Sequence, residues 1–274
     1  MLRLDDIDAV LFDLDGTLYT PAGLVPGAVE AVQALKAQGL AVRFVTNTTS
    51  RSRAALAERL KALGFSAETH EIYSPTWAAG AFLRSRGARA YLLVPPGALE
   101  DFAGIPTDDE HPDYVVIGDL GEAWTFEKLN RAFRLILERS ARLIGLGRTK
   151  YWQGPDGLRL DVGPFVAALE EATGRPALIL GKPDPAFWEA ILRDLNRPPT
   201  RVVMVGDDIE VDVAGAQRVG LRGVLVRTGK FRPADLERGI QPDAVLASVA
   251  DLPALVLGKK GEAAPGNPGA ADYS

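Results

Sequence analysis

The sequence predicts an α/β fold built on a parallel β-sheet, for three reasons. Short apolar runs alternate along the chain with stretches whose apolar residues recur at helical spacing. The runs Ala9–Phe12 and Val202–Val205 are apolar at every position, which is typical of strands buried on both faces. Polar or acidic residues directly follow several of these runs. In an open α/β sheet the carboxyl ends of the strands meet at one edge, and ligands bind there.

The first run leads into the acidic segment Asp13-Leu14-Asp15-Gly16-Thr17. Two carboxylates at a strand end can bind a hard cation through oxygen, and one of them can attack as a nucleophile. Gly16 allows the backbone to turn and to approach a ligand closely. Asp-Gly is also a common turn dipeptide, so this segment alone is equally consistent with a plain turn.

The second predicted strand, 40–45, ends in a segment rich in hydroxyl and amide groups that begins with Thr46 and Asn47. A helix over about 27–38 precedes this strand, and a helix with leucines at i, i+4 and i+7 follows it. The free N–H groups at the start of a helix, with hydroxyls beside them, suit a phosphate. Ordinary helix capping by Ser and Thr explains the same residues without any ligand.

The alternation of strands and helices continues from about 76 to 180, but polar residues at the ends of the strands become rarer. This stretch of about one hundred residues has a plausible size for a domain of its own. Strands are predicted at 91–94, 114–117, 143–146 and 177–180, and helices at 77–86, 97–103, 125–138 and 164–173. The helix over 125–138 is expected to bury four apolar residues, Phe126, Leu129, Phe133 and Leu137.

A lysine and a second acidic segment follow this region. Lys182 stands just before a helix that begins at Asp184, where a lone lysine is usually a solvated surface charge. The run Val202–Val205 leads into Asp207 and Asp208, and Asp212 lies one helical turn beyond Asp208. At ~4 Å and an effective dielectric near 20, two carboxylates repel by about 4 kcal/mol. With the first acidic segment on a neighbouring strand, this crowding favours a bound cation.

Composition excludes several classes of function. The chain has 274 residues and no cysteine, so disulfides, thiolate catalysis and cysteine-bound zinc are ruled out. A formal charge of −5 without a basic stripe argues against a nucleic-acid partner. No apolar run is long enough to span a membrane and no signal peptide is recognisable, so we expect a cytoplasmic protein without a membrane partner. Residues 259–274 are rich in Gly, Pro and Ala and are predicted to form a disordered tail.

Taken together, four segments resemble the ordered motifs of the haloacid dehalogenase-like phosphohydrolases: Asp13–Thr17, Thr46-Asn47, Gly181-Lys182-Pro183, and Gly206-Asp207-Asp208 with Asp212. The run 226–231 resembles one branch of that family. The resemblance implies a Rossmann-like, doubly wound parallel-sheet core at 1–75 and 181–258. It also implies an inserted α/β cap domain of type C2 at 76–180.

The resemblance further implies a role for each matching residue. Asp13 would be the nucleophile that forms an aspartyl-phosphate, and Asp15 the general acid and base. Mg²⁺ would bind the carboxylates of Asp13 and Asp207 and the backbone carbonyl of Asp15. Phosphoryl oxygens would contact Thr46, Asn47 and Lys182. Asp212, and less certainly Asp208, would not contact the substrate directly but would hold metal-bound waters or orient Lys182.

Alternatives from other classes stay open at this stage. A phosphoaspartate receiver-like signalling module also combines acids, a threonine and a lysine, and a dehalogenase of the same superfamily would not need Asp207 and Asp212. The substrate would be a small phosphorylated compound that the sequence does not identify. Relatives of this type suggest a homodimer through the cap as one form of assembly. His70 and His111 stand alone and are assigned no role, and Tyr151 and Trp152 are assigned to a cap hairpin in which packing is the simpler interpretation.

Overall fold

The computed structural model describes residues 6–154 and 156–257, and a large parallel sheet forms its centre. The strands of this sheet are β1 (Ala9–Asp13), β4 (Ala41–Val45), β5 (Ile72–Tyr73), β12 (Val202–Gly206), β13 (Arg222–Val226) and β14 (Ala244–Leu246). They lie in the order β14-β13-β12-β1-β4-β5, and every neighbouring pair is parallel. The predicted doubly wound α/β core is therefore confirmed.

A second, smaller sheet is formed by residues between β5 and β12 of the large sheet, a stretch that we call the inserted unit. It contains β6 (Ala90–Leu93), β7 (Tyr114–Ile117), β8 (Arg142–Gly145) and β11 (Leu178–Ile179), all parallel in the order β11-β8-β7-β6. An antiparallel hairpin, β9 (Tyr151–Gly154) and β10 (Gly157–Leu160), interrupts this unit. A two-residue pair, β2 (Tyr19–Thr20) and β3 (Gly23–Leu24), follows the first strand of the large sheet.

Helices connect the strands. The α-helices are α1 (Ala28–Ala37), α2 (Arg53–Ala62), α3 (Pro75–Arg86), α4 (Phe126–Glu138), α5 (Val162–Thr173), α6 (Pro185–Leu195), α7 (Gly215–Gln217) and α8 (Leu252–Leu257). A π-helix, Ile209–Ala214, leads into α7. Short 3₁₀ helices lie at Thr69–Glu71, Pro96–Phe102, Gly121–Ala123, Pro199–Arg201, Pro233–Glu237 and Val249–Asp251. The predicted start of α6 is confirmed, since the Asp184 side chain accepts a hydrogen bond from the Ala186 N–H and Pro185 is the first helical residue.

Strand β1 is buried on both faces, as its unbroken apolar run predicts. Val10 and Phe12 contribute to one apolar cluster, while Ala9 and Leu11 contribute to a second cluster on the opposite face. Side chains alternate between the two faces of a strand, so one strand supplies both cores. This central position fixes the carboxyl end of β1 rigidly within the fold.

The inserted unit shares an apolar cluster with the large sheet. Leu11 and Met204 of the large sheet lie in the same cluster as Val116 and Ile144 of the small sheet. The opposite face of the small sheet has a separate core, packed against α4 and α5. The predicted boundaries of the two domains, at about 75 and 180, stay predictions.

One prediction about helix α4 is wrong. Phe126 is 83% exposed and Leu137 is 43% exposed, whereas both were expected inside. The buried face instead carries Ala132, Leu135 and Ile136. Phe126 is the first residue of the helix, directly after its N-cap, so it lies beyond the part of the helix that packs on the sheet. The predicted helix at 97–103 is a 3₁₀ segment, Pro96–Phe102.

Two further expectations concern the ends and surface of the chain. The predicted disordered tail at 259–274 lies outside the described residues. Among the residues that are described, no helix combines the length and the apolar character needed to cross a membrane.

Candidate active site

The candidate site lies at the carboxyl edge of the large sheet, where the strand order reverses around β1. From β1 the chain runs outward through β4 and β5 on one side, and the later strands β12, β13 and β14 run outward on the other side. Phe12 is in register with Val205, and Asp13 with Val45. Residues that follow these three strands therefore converge on the crevice where open α/β sheets bind ligands.

Lys182 lies at the centre of a buried charge cluster. Its Nζ is 2.6 Å from Oδ1 of Asp13 and 2.7 Å from Oδ1 of Asp212. Carboxylate oxygens of Asp13, Asp207 and Asp212 all lie within 4.8 Å of one another. Lys182 is only 3% exposed, which contradicts the interpretation of a lone lysine as a surface charge. The two acidic segments of the sequence thus meet in one site.

The pKa values in this cluster follow from burial and crowding. Burial raises the pKa of Asp207 and of Asp212 to about 6, although a hydrogen bond from Lys230 N–H opposes the shift at Asp207 and the Lys182 ammonium opposes it at Asp212. Burial also raises the pKa of Asp13, against the attraction of Lys182. Burial by itself lowers the pKa of Lys182, but the carboxylates of Asp13 and Asp212 outweigh it and raise that pKa above its ordinary value. Lys182 is therefore a fixed positive charge, and the acids share it.

Thr46 and Asn47 lie beside this cluster. The Asn47 side chain accepts a hydrogen bond from the Lys182 N–H at 2.8 Å and donates one to the Lys182 carbonyl at 2.9 Å. Thr46 is 2% exposed, and its hydroxyl accepts a hydrogen bond from the Thr48 N–H at 3.1 Å. The amide of Asn47 thereby locks the end of β4 to the segment that carries the lysine.

Asp15 and Asp208 are placed differently from the buried acids. Asp15 is exposed, whereas Asp13, two residues before it, is buried. The carboxylate of Asp208 accepts hydrogen bonds from the N–H groups of Glu210 and Val211 and caps the π-helix. The backbone N–H of Asp208 donates to Asp212 at 3.2 Å. Asp208 thus orients Asp212 through its backbone, a contact that the sequence pattern did not reveal.

A loop after β13 completes the site, and reasoning from sequence gave it no role. The Lys230 N–H donates to Oδ2 of Asp207 at 2.6 Å, and the Thr228 hydroxyl donates to the Gly16 carbonyl at 2.6 Å. Gly229 lies between these contacts with φ +55. The available signal was the Thr-Gly-Lys run, which begins two residues after the last residue of a buried strand, at the carboxyl edge of the sheet.

Replacing Gly229 by alanine is expected to damage the site specifically. A Cβ at Gly229 would lie 2.0 Å from Oδ2 of Asp207 and 2.5 Å from Cα of Gly16. Gly87 has a matching φ of +57 with nothing within 4 Å, so Gly87→Ala measures the backbone strain alone. We expect Gly229→Ala to destabilise the fold by at least about 2 kcal/mol more than the control, measured by urea unfolding. Equal losses in the two variants would contradict the tight packing around Asp207.

Comparison with known proteins identifies the family. A model described as haloacid dehalogenase-like hydrolase matches residues 10–105, and one described as HAD-hydrolase-like matches residues 179–252. The rat "haloacid dehalogenase-like hydrolase domain-containing protein 2" is 46% identical over 232 residues, which are 85% of this chain and 88% of that relative. This chain belongs to the haloacid dehalogenase-like hydrolase family. The resemblance inferred from the four sequence motifs is confirmed.

Other relatives of this haloacid dehalogenase-like hydrolase are named phosphatases. Human "phospholysine phosphohistidine inorganic pyrophosphate phosphatase" is 41% identical, and the match covers 93% of this chain and 96% of that protein. The p-nitrophenyl phosphatase from Archaeoglobus fulgidus superposes with a TM-score of 0.83 at 30% identity, covering 90% of this chain and 98% of that chain. The hydrolase is an enzyme of the phosphatase type.

Proposed function

We propose that this hydrolase is a Mg²⁺-dependent phosphatase that cleaves a small phosphorylated compound through an aspartyl-phosphate on Asp13. The observation that carries the proposal is the buried cluster in which Lys182 bridges Asp13 and Asp212, with Asp207 beside them. A carboxylate that attacks an anionic phosphoryl group needs positive charge around it. The cluster supplies one fixed ammonium and a set of oxygen ligands at the same point.

The proposed reaction has two steps. The Asp13 carboxylate attacks phosphorus in line, the bond from phosphorus to the leaving oxygen breaks, and Asp15 protonates that oxygen. Water then attacks the phosphorus of the aspartyl-phosphate while Asp15 takes its proton, the bond between phosphorus and the Asp13 oxygen breaks, and the free Asp13 carboxylate and inorganic phosphate result. The exposure of Asp15, two residues after the buried Asp13, supports this role, because the leaving group must point out of the buried site toward solvent. Thr46, Asn47 and Lys182 would hold the phosphoryl oxygens.

The charge of the cluster fits a divalent cation. Three buried carboxylates face one buried ammonium, so with all groups ionised the site would carry excess negative charge in a desolvated place. Asp13, Asp207 and the carbonyl of Asp15 would bind Mg²⁺, and Asp212 would orient Lys182 through their ion pair. The bound ion would offset the negative charge of the phosphoryl group as Asp13 approaches it.

Mg²⁺ binding is expected to depend on pH. The pKa of Asp207 is raised to about 6, so this acid stabilises the metal-free fold at low pH and loses that contribution as pH rises through the raised value. Protons therefore compete with Mg²⁺, and the rise in melting temperature on adding Mg²⁺ should be larger at about pH 8 than at about pH 5. In Asp207→Asn, Mg²⁺ should raise the melting temperature little at either pH.

Removal of the metal tests the same site by activity. EDTA should stop turnover and added Mg²⁺ should restore it, and unchanged rates in EDTA would count against the metal.

The substrate class is tested by a panel of phosphate compounds. p-Nitrophenyl phosphate, inorganic pyrophosphate, phosphohistidine, phospholysine and sugar phosphates span ester, anhydride and phosphoramidate bonds. Purified wild-type enzyme, with the Asp13→Asn variant as a blank, should hydrolyse at least one of them with Mg²⁺. The close approach of Asp207 and Asp212 to Asp13 disfavours the dehalogenase, which needs no metal acids. No hydrolysis of any compound would contradict the proposal.

Assembly through the cap is proposed on the exposed face of the hairpin. Tyr151 pairs with Leu160, Leu158 lies two residues from Leu160 on the same face, and the three are 58%, 61% and 68% exposed in the order Tyr151, Leu160, Leu158. Their exposure contradicts the simpler interpretation that Tyr151 packs inside the cap. We expect a homodimer by light scattering, and a monomer for Leu158→Glu. A wild-type monomer at micromolar concentration would exclude this assembly.

A further inference from the structure

The segment that links β4 to α2, residues 46–52, is held at its two ends by different parts of the chain; we call it the phosphoryl loop. Its beginning is fixed by the core, through the paired hydrogen bonds between Asn47 and the backbone of Lys182. Its far end is fixed by the 3₁₀ segment Pro96–Phe102, which belongs to the inserted unit. The geometry of the loop therefore depends on the inserted unit as well as on the core.

Three contacts join the 3₁₀ segment to the far end of the phosphoryl loop. A Cβ at Gly97 would lie 2.7 Å from the Ser50 carbonyl oxygen, so the two backbones are in close contact. The hydroxyl of Ser52, a residue only 2% exposed, donates to Glu100 at 2.7 Å. The carboxylate of Asp101 accepts a hydrogen bond from the Arg53 N–H at 3.1 Å.

Asp101 provides a hydrogen-bond acceptor for an unpaired N–H group at the start of helix α2. Arg53 is the first residue of α2, so its N–H has no partner within the helix. An acid at a helix N-terminus is also favoured by the positive end of the helix dipole. The same carboxylate accepts a hydrogen bond from the hydroxyl of Thr76, which is fully buried in α3. Asp101 thus joins three segments: the 3₁₀ helix, the start of α2 and the start of α3.

We infer that Glu100 and Asp101 are positioning residues for phosphoryl binding. They contact neither the acid cluster nor the proposed substrate ligands. They anchor the end of a loop whose other end carries Thr46 and Asn47, and they do so from the inserted unit. Losing either anchor frees the far end of the phosphoryl loop, so binding of the phosphoryl group weakens while the groups that react stay in place. This inference rests on the proposed phosphatase function.

The test compares kinetic constants in matched variants. We expect Asp101→Ala and Glu100→Ala to raise KM for p-nitrophenyl phosphate and the inhibition constant of inorganic phosphate by about tenfold, with kcat changed by less than about threefold. Asp101→Asn keeps an acceptor for the Arg53 N–H and should recover most of the affinity. The control is Asp113→Ala, which removes a similar bond to the Arg89 N–H at the amino edge of the small sheet.

The outcomes separate positioning from simple loss of stability. A lower melting temperature with unchanged KM in Asp101→Ala would overturn the inference, and so would an equal rise of KM in Asp113→Ala. If Asp101→Ala does not fold, Glu100→Ala carries the same comparison, and Glu100→Gln, which keeps an acceptor for the Ser52 hydroxyl, should recover most of the affinity. The proposed function fails separately, when the wild-type enzyme is inactive or Asp13→Asn keeps its activity.

Discussion

Replacing Asp13 by asparagine is expected to lower Mg²⁺-dependent hydrolysis of p-nitrophenyl phosphate by on the order of 10⁴-fold. The amide nitrogen and oxygen keep the size of the side chain, but the group no longer attacks phosphorus as an anion. Asp13 is 8% exposed and its carboxylate contacts the Lys182 ammonium at 2.6 Å, so the substitution also changes the charge balance of the cluster. Initial rates at saturating substrate measure the effect.

The matched control for this variant is Asp8→Asn. Asp8 lies just before the amino end of β1, at the opposite edge of the sheet from Asp13, and pairs with the partly exposed Arg201 at 2.8 Å. Surface ion pairs of this kind contribute little to stability, so the variant should fold and keep its activity. Circular dichroism should give native spectra for both variants. Substantial Mg²⁺-dependent turnover in Asp13→Asn would remove Asp13 as the nucleophile.

Replacing Lys182 by methionine is expected to cause the largest loss of stability. The change leaves the buried carboxylates without their ammonium, which typically costs about 3–5 kcal/mol when one partner of a buried pair is removed. It should also lower turnover by at least about 10²-fold, since the phosphoryl group loses a fixed positive charge. Urea unfolding without metal, followed by tryptophan fluorescence, measures the loss in the free energy of unfolding.

The pH dependence of this loss distinguishes charge from packing. The pKa values of Asp207 and Asp212 are raised, so protonation removes the repulsion at low pH and ionisation restores it as pH rises through about 6. The loss in Lys182→Met should therefore be larger at about pH 8 than at about pH 5. The double variant Lys182→Met/Asp212→Asn should recover part of the stability, because one unpaired carboxylate is gone. A loss that is equal at both pH values would indicate packing as its cause.

The core of the fold was predictable because its signals are local. The run Ala9–Phe12 identifies a strand buried on both faces, and the turn residues after it mark the end of the strand. The prediction for helix α4 failed at Phe126 because helical spacing identifies an apolar stripe but not which turns of the helix meet the sheet. Packing against β7 and α5 made that choice.

The acids and the lysine of the candidate site could be named from the sequence, but the loop at Gly229 and most of the contacts within the site could not. Each of Asp13, Asp207 and Lys182 had an ordinary interpretation, and the order of the motifs selected the functional one. The contacts of Gly229 with Asp207, and of Asp101 with Arg53, join residues far apart in sequence. No residue pattern encodes such contacts, since they depend on how the loops pack after the sheets have formed.

The sequence by itself determined the parallel α/β core and identified the acidic and hydroxyl residues that follow its strands. It could do so because a buried strand and the polar residues at its end are consecutive in the chain. Only the tertiary structure decided that Lys182 is buried between Asp13 and Asp212, that the loop at Gly229 closes on Asp207, and that a segment of the inserted unit caps helix α2. These features are contacts between segments that are distant in the sequence, and such contacts form only when the chain is packed.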